Sequence, residues 1–493
     1  MNVRDGFSGS WILTVVYGHP NHKTRRTLWV ELSSFAEHVT SLWLLSEDFN
    51  AFLYAHDKVG GSSQGNKPCL YFQRFINAYG LIDLGFKGSK YIWTRKLVFE
   101  SIDWVLCNTD WRLKFHEATV QHLSRIKFDH RPLLISLGVR GVIERSLRFQ
   151  FQATWLSHSK FNDFVKQNWE FSSDIQGALK MFSDSACVWN KEVFGNIFSR
   201  KKRILARLGG IERELEYRQS RYLQELEAKL RKEYELILQQ EEVFWLQKSK
   251  ANWLTLGDRN TKYFHLRAVK RRTKAKILHL LNMDGLWLEG QEEVRLHVVD
   301  FFRKLYSKET ETLPAYPIKG KFLTLNKTNY DRLTAPVGDK EVHKALFAMK
   351  PMKTPGINGI HALFFQNQWD VVGSSLVKYV QTVFSGGKIG NELGKSLIVL
   401  IPKSASPEYI SQYRPISLLL VIFKVLMKII TNRLKPYMST LVAKTQSSFI
   451  PERAIIDNVI VTQEVMHSFR KKKGKVGWMM LKIDLEKAYN RLR

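Results

Sequence analysis

The feature that most constrains this chain is a change of period along its length. Apolar residues recur at three- and four-residue steps at Ile204, Leu208, Ile211 and Leu215, then at Leu223, Leu226, Leu230, Tyr234 and Ile237. That is the spacing of one helix face, so the middle of the chain must hold long helices. Gly209 and Gly210 predict a break among them, because glycine is a poor helix former. Before this region, residues 1 to about 137 read as short strands, "WILTVVYG" and "SLWLLSEDFN" among them, split by polar turns such as "KVGGSSQGNKP". From about residue 335 the chain returns to mixed helix and strand. At roughly 150 residues per domain, 493 residues suit three domains: a multidomain α/β chain with an α/β stretch at 1–137, a mainly helical stretch at 138–334 and a mixed stretch at 335–493.

Charge narrows the function. Lys and Arg total 76 against 46 Asp and Glu, a net +30, and a surplus of that size is self-repelling unless the partner is a polyanion. Nucleic acid is the expected partner. Between 200 and 276 there are 21 Lys and Arg against 10 Asp and Glu, with Trp245, Trp253, Tyr263 and Phe264 interleaved. This tract reads either as a solvated helical face or as a nucleic-acid surface where cations meet phosphates and aromatics stack on bases. Cys69, Cys107 and Cys187 are odd in number and lack metal-ligand spacing, which implies neither a disulfide framework nor a zinc site and suits a reducing compartment. Met1 is followed by Asn, Arg and Asp, and the longest apolar run, "ISLLLVIF", is far short of the ~20 residues a membrane span requires. An intracellular protein of nucleus or cytoplasm, without a signal peptide or a membrane span, is expected.

The first chemistry lies at "EDFN". Asp48 and Asn50 close an apolar strand, and the two-residue period of a strand aims both side chains the same way. One can hold a metal or activate a water, and the other can donate to a phosphate oxygen. Asp103 in "SIDWVL" and Asp129 and His130 in "FDHRPLL" add a carboxylate able to fix an imidazole tautomer and raise its basicity, together with a second acid. Such a set hydrolyses phosphodiesters. Each piece taken singly is also readable as a surface turn.

These pieces, together with Tyr17 in "VVYGHP" and with "FINAYGLIDLGFKGSKYIWTR", resemble the later part of the endonuclease/exonuclease/phosphatase superfamily, an α/β sandwich. The resemblance implies that Asp48 and Asn50 lie at the scissile phosphate and that Asp103 orients His130. It makes Asp129 the remaining acid, Asp48 and Asp129 ligands of Mg²⁺, and Tyr17 a phosphate contact. Three neighbours depart from the pattern: Glu47 replaces a glycine, Trp104 an arginine and Phe128 a serine. The family's first part, with its metal-binding Glu, belongs before Tyr17, where sixteen residues stand. The expectation is a partial domain without nuclease activity.

The last stretch carries "PMKTPGINGIHALFFQNQW", "LGKSLIVLIPK", "SQYRPISLLLVIFKVLMKIITNRLKPYM", "TQSSFIPERAIIDNVIVTQE" and "LKIDLEKAYNR" in that order, and "VWNKEVFGNI" and "QKSKANWLTLGDRNTKYFH" precede it. This series resembles the reverse transcriptase of a long interspersed element (non-LTR) retrotransposon, of plant type. The resemblance implies an RNA-directed DNA polymerase working with Mg²⁺, an RNA template, a DNA target and deoxynucleotide triphosphates. Asp484 becomes the first metal-binding palm acid and Tyr489 the aromatic that crowds the sugar 2′ position. Lys403 and Arg414 become finger cations on template or triphosphate. Read locally, Asp484 is a helix N-cap and the two cations are surface charges. Glu452 stands for a glycine before Arg453, Asn358 for the Asp of the Pro-Gly-x-Asp-Gly turn, and Asn490 for another Asp. The family's Tyr-x-Asp-Asp box belongs downstream of Arg493. The expectation is the fingers and start of the palm in a truncated, inactive copy; the alternative is a non-catalytic RNA- or DNA-binding protein that keeps the basic linker and fingers.

Overall fold

The computed structural model describes the chain apart from residues 6–8, 62–67, 96, 124–128, 139–147, 170–174, 218–219, 250–260, 276, 278, 289, 308–324, 405–406, 444, 449, 451, 475, 477 and 482–493. It divides into two compact units that interleave along the sequence: 1–147, 196–300 and 398–416 form the first, and 148–195, 301–397 and 417–493 the second. The helical stretch read at 138–334 therefore contributes to both.

In the first unit the chain opens with β1 (Asn2–Asp5), β2 (Gly9–Tyr17), helix α1 (Arg26–Glu37), β3 (Trp43–Asp48), β4 (Lys58–Val59), α2 (Leu70–Ala78), β5 (Ile82–Asp83), β6 (Trp93–Arg95), β7 (Val98–Glu100), β8 (Asp103–Cys107), α3 (Thr109–Lys114), β9 (Thr119–His122) and β10 (Leu133–Ser136). A five-stranded sheet has the order β1-β2-β3-β8-β5, with β2 parallel to β3 and β8 antiparallel to it. β3 is central, which explains why "WLL" is apolar without interruption. Period two sends Trp43 and Leu45 to one face, where they pack with Trp29 and Leu32 of α1 and Phe72 and Phe75 of α2. Leu44 goes to the other face, among Trp11, Val105, Trp111 and Val120. The α/β pattern expected of 1–137 is observed.

The second unit begins with α4 (Phe161–Asn168) and α5 (Ile175–Trp189). The first unit resumes with α6 (Ile197–Tyr217), α7 (Arg221–Ser249), α8 (Thr261–Ala275), β11 (Leu280–Leu281) and β12 (Trp287–Leu288), and the division at residue 300 falls within α9 (Gln291–Tyr306). The expected break at Gly209–Gly210 is not there, because α6 runs through both glycines. Each glycine costs a helix only about 1 kcal/mol, and burial of Ile204, Leu208 and Ile211 outweighs that. Along the α6–α7 contact Lys201 meets Glu241 at 2.6 Å.

The second unit continues with α10 (Lys327–Thr334), α11 (Asp339–Phe347), α12 (Ala362–Asn367), α13 (Trp369–Phe384) and α14 (Asn391–Gly394), and after the paired strands β13 (Leu397–Pro402) and β14 (Tyr413–Leu418) it ends with α15 (Val421–Leu434), α16 (Met438–Leu441) and α17 (Ile455–Lys471). Its core is aromatic. Phe182 lies 4.5 Å from Phe364 ring to ring, Phe151 5.5 Å from Phe364, and Trp169 Nε1 donates to Ser375 Oγ at 3.2 Å. The Pro355–Gly359 turn needs both its glycines: a Cβ on Gly359, at φ 68°, would lie 1.8 Å from the Phe149 carbonyl oxygen, and one on Gly356 2.7 Å from Leu420 N. Asn358 Oδ1 accepts from Ile360 N at 3.2 Å, so the amide keeps a turn acceptor where the resemblance has Asp. No helix among the described residues is long and apolar enough to cross a membrane.

Candidate functional site

Three neighbouring strands bring the site together. Across the sheet Tyr17 of β2 pairs with Asp48 of β3, and Asp48 with Asp103 of β8, so residues distant in sequence stand side by side at one end of the sheet. His130 reaches them from the segment before β10. Its Nδ1 is 3.1 Å from each carboxylate oxygen of Asp103, and Asp48, Asp103 and His130 offer ligand atoms all within 4.8 Å of one another. Asn50, at φ 47° in the left-handed region that asparagine tolerates, folds back: its N donates to Asp48 Oδ1 at 2.7 Å, and its Nδ2 to Asp48 Oδ2 at 2.6 Å and to the Gly18 carbonyl at 2.8 Å. Gly18 must be glycine, since a Cβ there would lie 2.2 Å from the Phe49 carbonyl oxygen.

The electrostatics follow from partial burial. Desolvation pushes the Asp48 carboxyl up to about 6; the Asn50 backbone hydrogen bond opposes that rise, the Asp103 charge adds to it, and His130 and Arg25 oppose it. The Asp103 hydrogen bond lifts the His130 imidazole above its ordinary value against the effect of burial. With Nδ1–H donated to Asp103, the other ring nitrogen, Nε2, is left as the basic one. The donors suit a divalent cation held by the Asp48 and Asp103 oxygens, with water or a substrate phosphate completing its shell.

The remaining expected residues fall elsewhere. Asp129 is next in sequence to His130, but its carboxylate takes a hydrogen bond from Trp93 Nε1 at 2.9 Å and stands outside the three-residue cluster. Tyr17 is 74% exposed at the sheet's end. Trp104, where the resemblance has arginine, is absorbed by the core: its Nε1 donates to the Ala51 carbonyl at 2.8 Å and its ring meets Phe72 edge-on. Lys403 ties its own ribbon together through Nζ to the Ser411 carbonyl at 2.9 Å, while Arg414 is exposed on β14. Asp484, Tyr489, Phe128 and Trp253 lie outside the described residues.

Sequence reasoning missed Arg25. Only 8% exposed, it donates from one terminal nitrogen to the His19 and Pro20 carbonyls at 2.8 and 3.2 Å, and its charge acts on both Cys69 and Asp48. It thereby pins the turn whose Gly18 N donates to the Asp48 carbonyl at 2.7 Å. In sequence it is one of two arginines opening an amphipathic helix, which reads as a surface pair.

Comparison with known proteins adds the other end of the chain. Residues 401–493 match the family described as reverse transcriptase (RNA-dependent DNA polymerase), so a reverse transcriptase segment lies near the C-terminus. Over 236 residues the chain is 29% identical to the "Transposon TX1 uncharacterized 149 kDa protein" of Xenopus laevis, a stretch that is 48% of this chain and 18% of that protein. Together these two matches support a non-LTR retrotransposon reverse transcriptase. It spans about a fifth of the length of the curated relative it matches.

Proposed function

We propose that this chain is part of a retrotransposon protein of the long interspersed type, with plant-type wording, that nicks target DNA and copies RNA into it. In this reading 1–137 is the C-terminal part of an endonuclease/exonuclease/phosphatase domain, 138–334 a basic helical linker and 335–493 the fingers and start of the palm, truncated. The observation that carries the nicking half is the His130 imidazole on the Asp103 carboxylate with Asp48 beside it. His130 Nε2 takes the proton of an attacking water, whose oxygen bonds to phosphorus as the P–O bond to the leaving sugar oxygen breaks; Asp103 holds the imidazole and balances its charge, Tyr17 contacts the phosphate, and Asn50, whose amide hydrogens go to Asp48 and the Gly18 carbonyl, holds Asp48 in place. A divalent cation, Mg²⁺ by family expectation, would rest on Asp48 and Asp103 and supply charge neutralisation. For the polymerase half the family match over 401–493 is the support, with Asp484 as a metal-binding acid, Tyr489 at the sugar, and Lys403 and Arg414 on template or deoxynucleotide triphosphate.

The test is relaxation of supercoiled plasmid by the purified chain with Mg²⁺. His130→Ala and Asp103→Asn should each lower nicking by about 10²-fold or more. Nicking unchanged in both variants removes the assignment of roles, and no nicking by the unaltered chain removes the activity. Primer extension on an RNA template tests the polymerase half: none is expected of this chain, because one acid, Asp484, cannot position two ions, and extension that is lost in Asp484→Ala would overturn that.

A further inference from the structure

Helix α8 carries Lys262, Arg267, Lys270, Arg271, Arg272 and Lys274 and no Asp or Glu in fifteen residues. In helix α7, Arg221 pairs with Glu225, and Arg231 with Glu227 and with Glu212 of α6. Like charges one turn apart destabilise a helix by a few tenths of a kcal/mol each, and Arg267 and Arg271 stand one turn apart on α8. Its inner side is spoken for. Phe264 and Val269 are buried, and His265 stacks on Trp245 of α7 at 3.8 Å between ring centroids. Lys248 Nζ stands 5.7 Å from that Trp245 ring, and burial together with the charges of His116 and Lys248 depresses the His265 imidazole.

The outer side is a stripe. Tyr263, Arg267 and Arg271 are exposed at four-residue steps, about 6 Å of rise apiece, with Arg267 Nη1 donating to the Tyr263 hydroxyl at 3.2 Å. One aromatic face followed by two guanidinium groups is the alternation of a nucleotide strand, a base to stack and phosphates to neutralise.

We propose that the Tyr263–Arg267–Arg271 face of α8 binds single-stranded nucleic acid, with Tyr263 stacking on a base and the two arginines gripping successive phosphates. Of the aromatics interleaved in this basic tract, Trp245 and Phe264 are committed to packing, so stacking on α8 rests on Tyr263 and the larger share of affinity is ionic. The face needs neither polymerase nor nuclease chemistry, so its test is independent of the proposed function.

Fluorescence anisotropy of the full chain on labelled U20 RNA, dT20 and a 20-base-pair duplex, each titrated with salt, reads it out. Arg267→Gln/Arg271→Gln should flatten the log K against log salt slope on single strands by about 1.4, two contacts at roughly 0.7 each. Arg267→Lys/Arg271→Lys should restore most of that slope, because the charge returns. Tyr263→Ala should weaken binding about tenfold with the slope kept. The U20 and dT20 arms decide whether the strand is RNA or DNA. A slope unchanged in the glutamine pair overturns the proposal, as does duplex binding that is tighter than single-strand binding and equally sensitive to the pair. All three residues are exposed, so melting temperatures within a few degrees of the unaltered chain exclude misfolding as a cause.

Discussion

At the scale of single residues, Glu47 and Glu452 hold unusual backbone. They stand where the resemblance has glycine, and among the described residues they are two of three non-glycine positions with positive φ, at 95° and 66°. The backbone thus keeps a glycine conformation under a side chain that disfavours it. At 66° the left-handed well costs an L-residue about 1–2 kcal/mol, and glycine's greater freedom when unfolded returns most of it; Glu452→Gly should change stability by less than about 0.5 kcal/mol. At 95° Glu47 lies beyond that well, and Glu47→Gly should stabilise by about 1 kcal/mol, as measured by urea unfolding. Asp48 is the opposite case, a carboxyl raised by burial to about 6. The folded state then holds its proton where the unfolded state has lost it, so stability falls as pH rises from about 4 to about 6. Asp48→Asn gives up one of the two acceptors that Asn50 uses, a cost independent of pH, so relative to the unaltered chain its stability at pH 7.5 should be better than at pH 4 by about 1–2 kcal/mol. Of the site, Asp48, Asp103 and His130 were legible as strand-end acids and an imidazole partner. Arg25 was not, because burial of a cation is decided by the turn that folds over it.

At the scale of elements, period was a good guide and punctuation a poor one. The three- and four-residue steps located α6 and α7, and the uninterrupted "WLL" located a strand buried on both faces. Gly209 and Gly210 were misread because a helix tolerates two costs of about 1 kcal/mol when its apolar face is packed. A Cβ at either glycine would meet nothing within 4 Å, so Gly209→Ala and Gly210→Ala should each raise stability by about 0.5–1 kcal/mol in thermal melts. Arg453 shows an element-level role hidden in a motif. Its guanidinium donates to the carbonyls of Ser439, Val442, Ala443 and Gln446 at 2.6–3.0 Å, closing the end of α16. Arg453→Met should therefore destabilise the second unit, by about 2–3 kcal/mol for the carbonyls released.

For the whole molecule, the net charge of +30 sets the response to salt. Self-repulsion is screened within about 10 Å at 0.1 M, so the melting temperature should rise by several degrees between 0.02 and 0.3 M NaCl, and a flat response would mean the charges are already balanced within the fold. The interleaving of the two units was not legible in the sequence, because which distant segment completes a core depends on shape rather than on local pattern. Residues 148–195 are the case in point: Phe151, Phe182 and Trp169 close on Phe364 and Ser375, and Trp169 and Ser375 are 206 positions apart. A ribosome adding 5–20 residues each second takes about 10–40 s to span that interval. Throughout that time the aromatic surface of α4 and α5 has emerged without the residues that cover it, which makes this segment the place where a nascent chain most needs a chaperone.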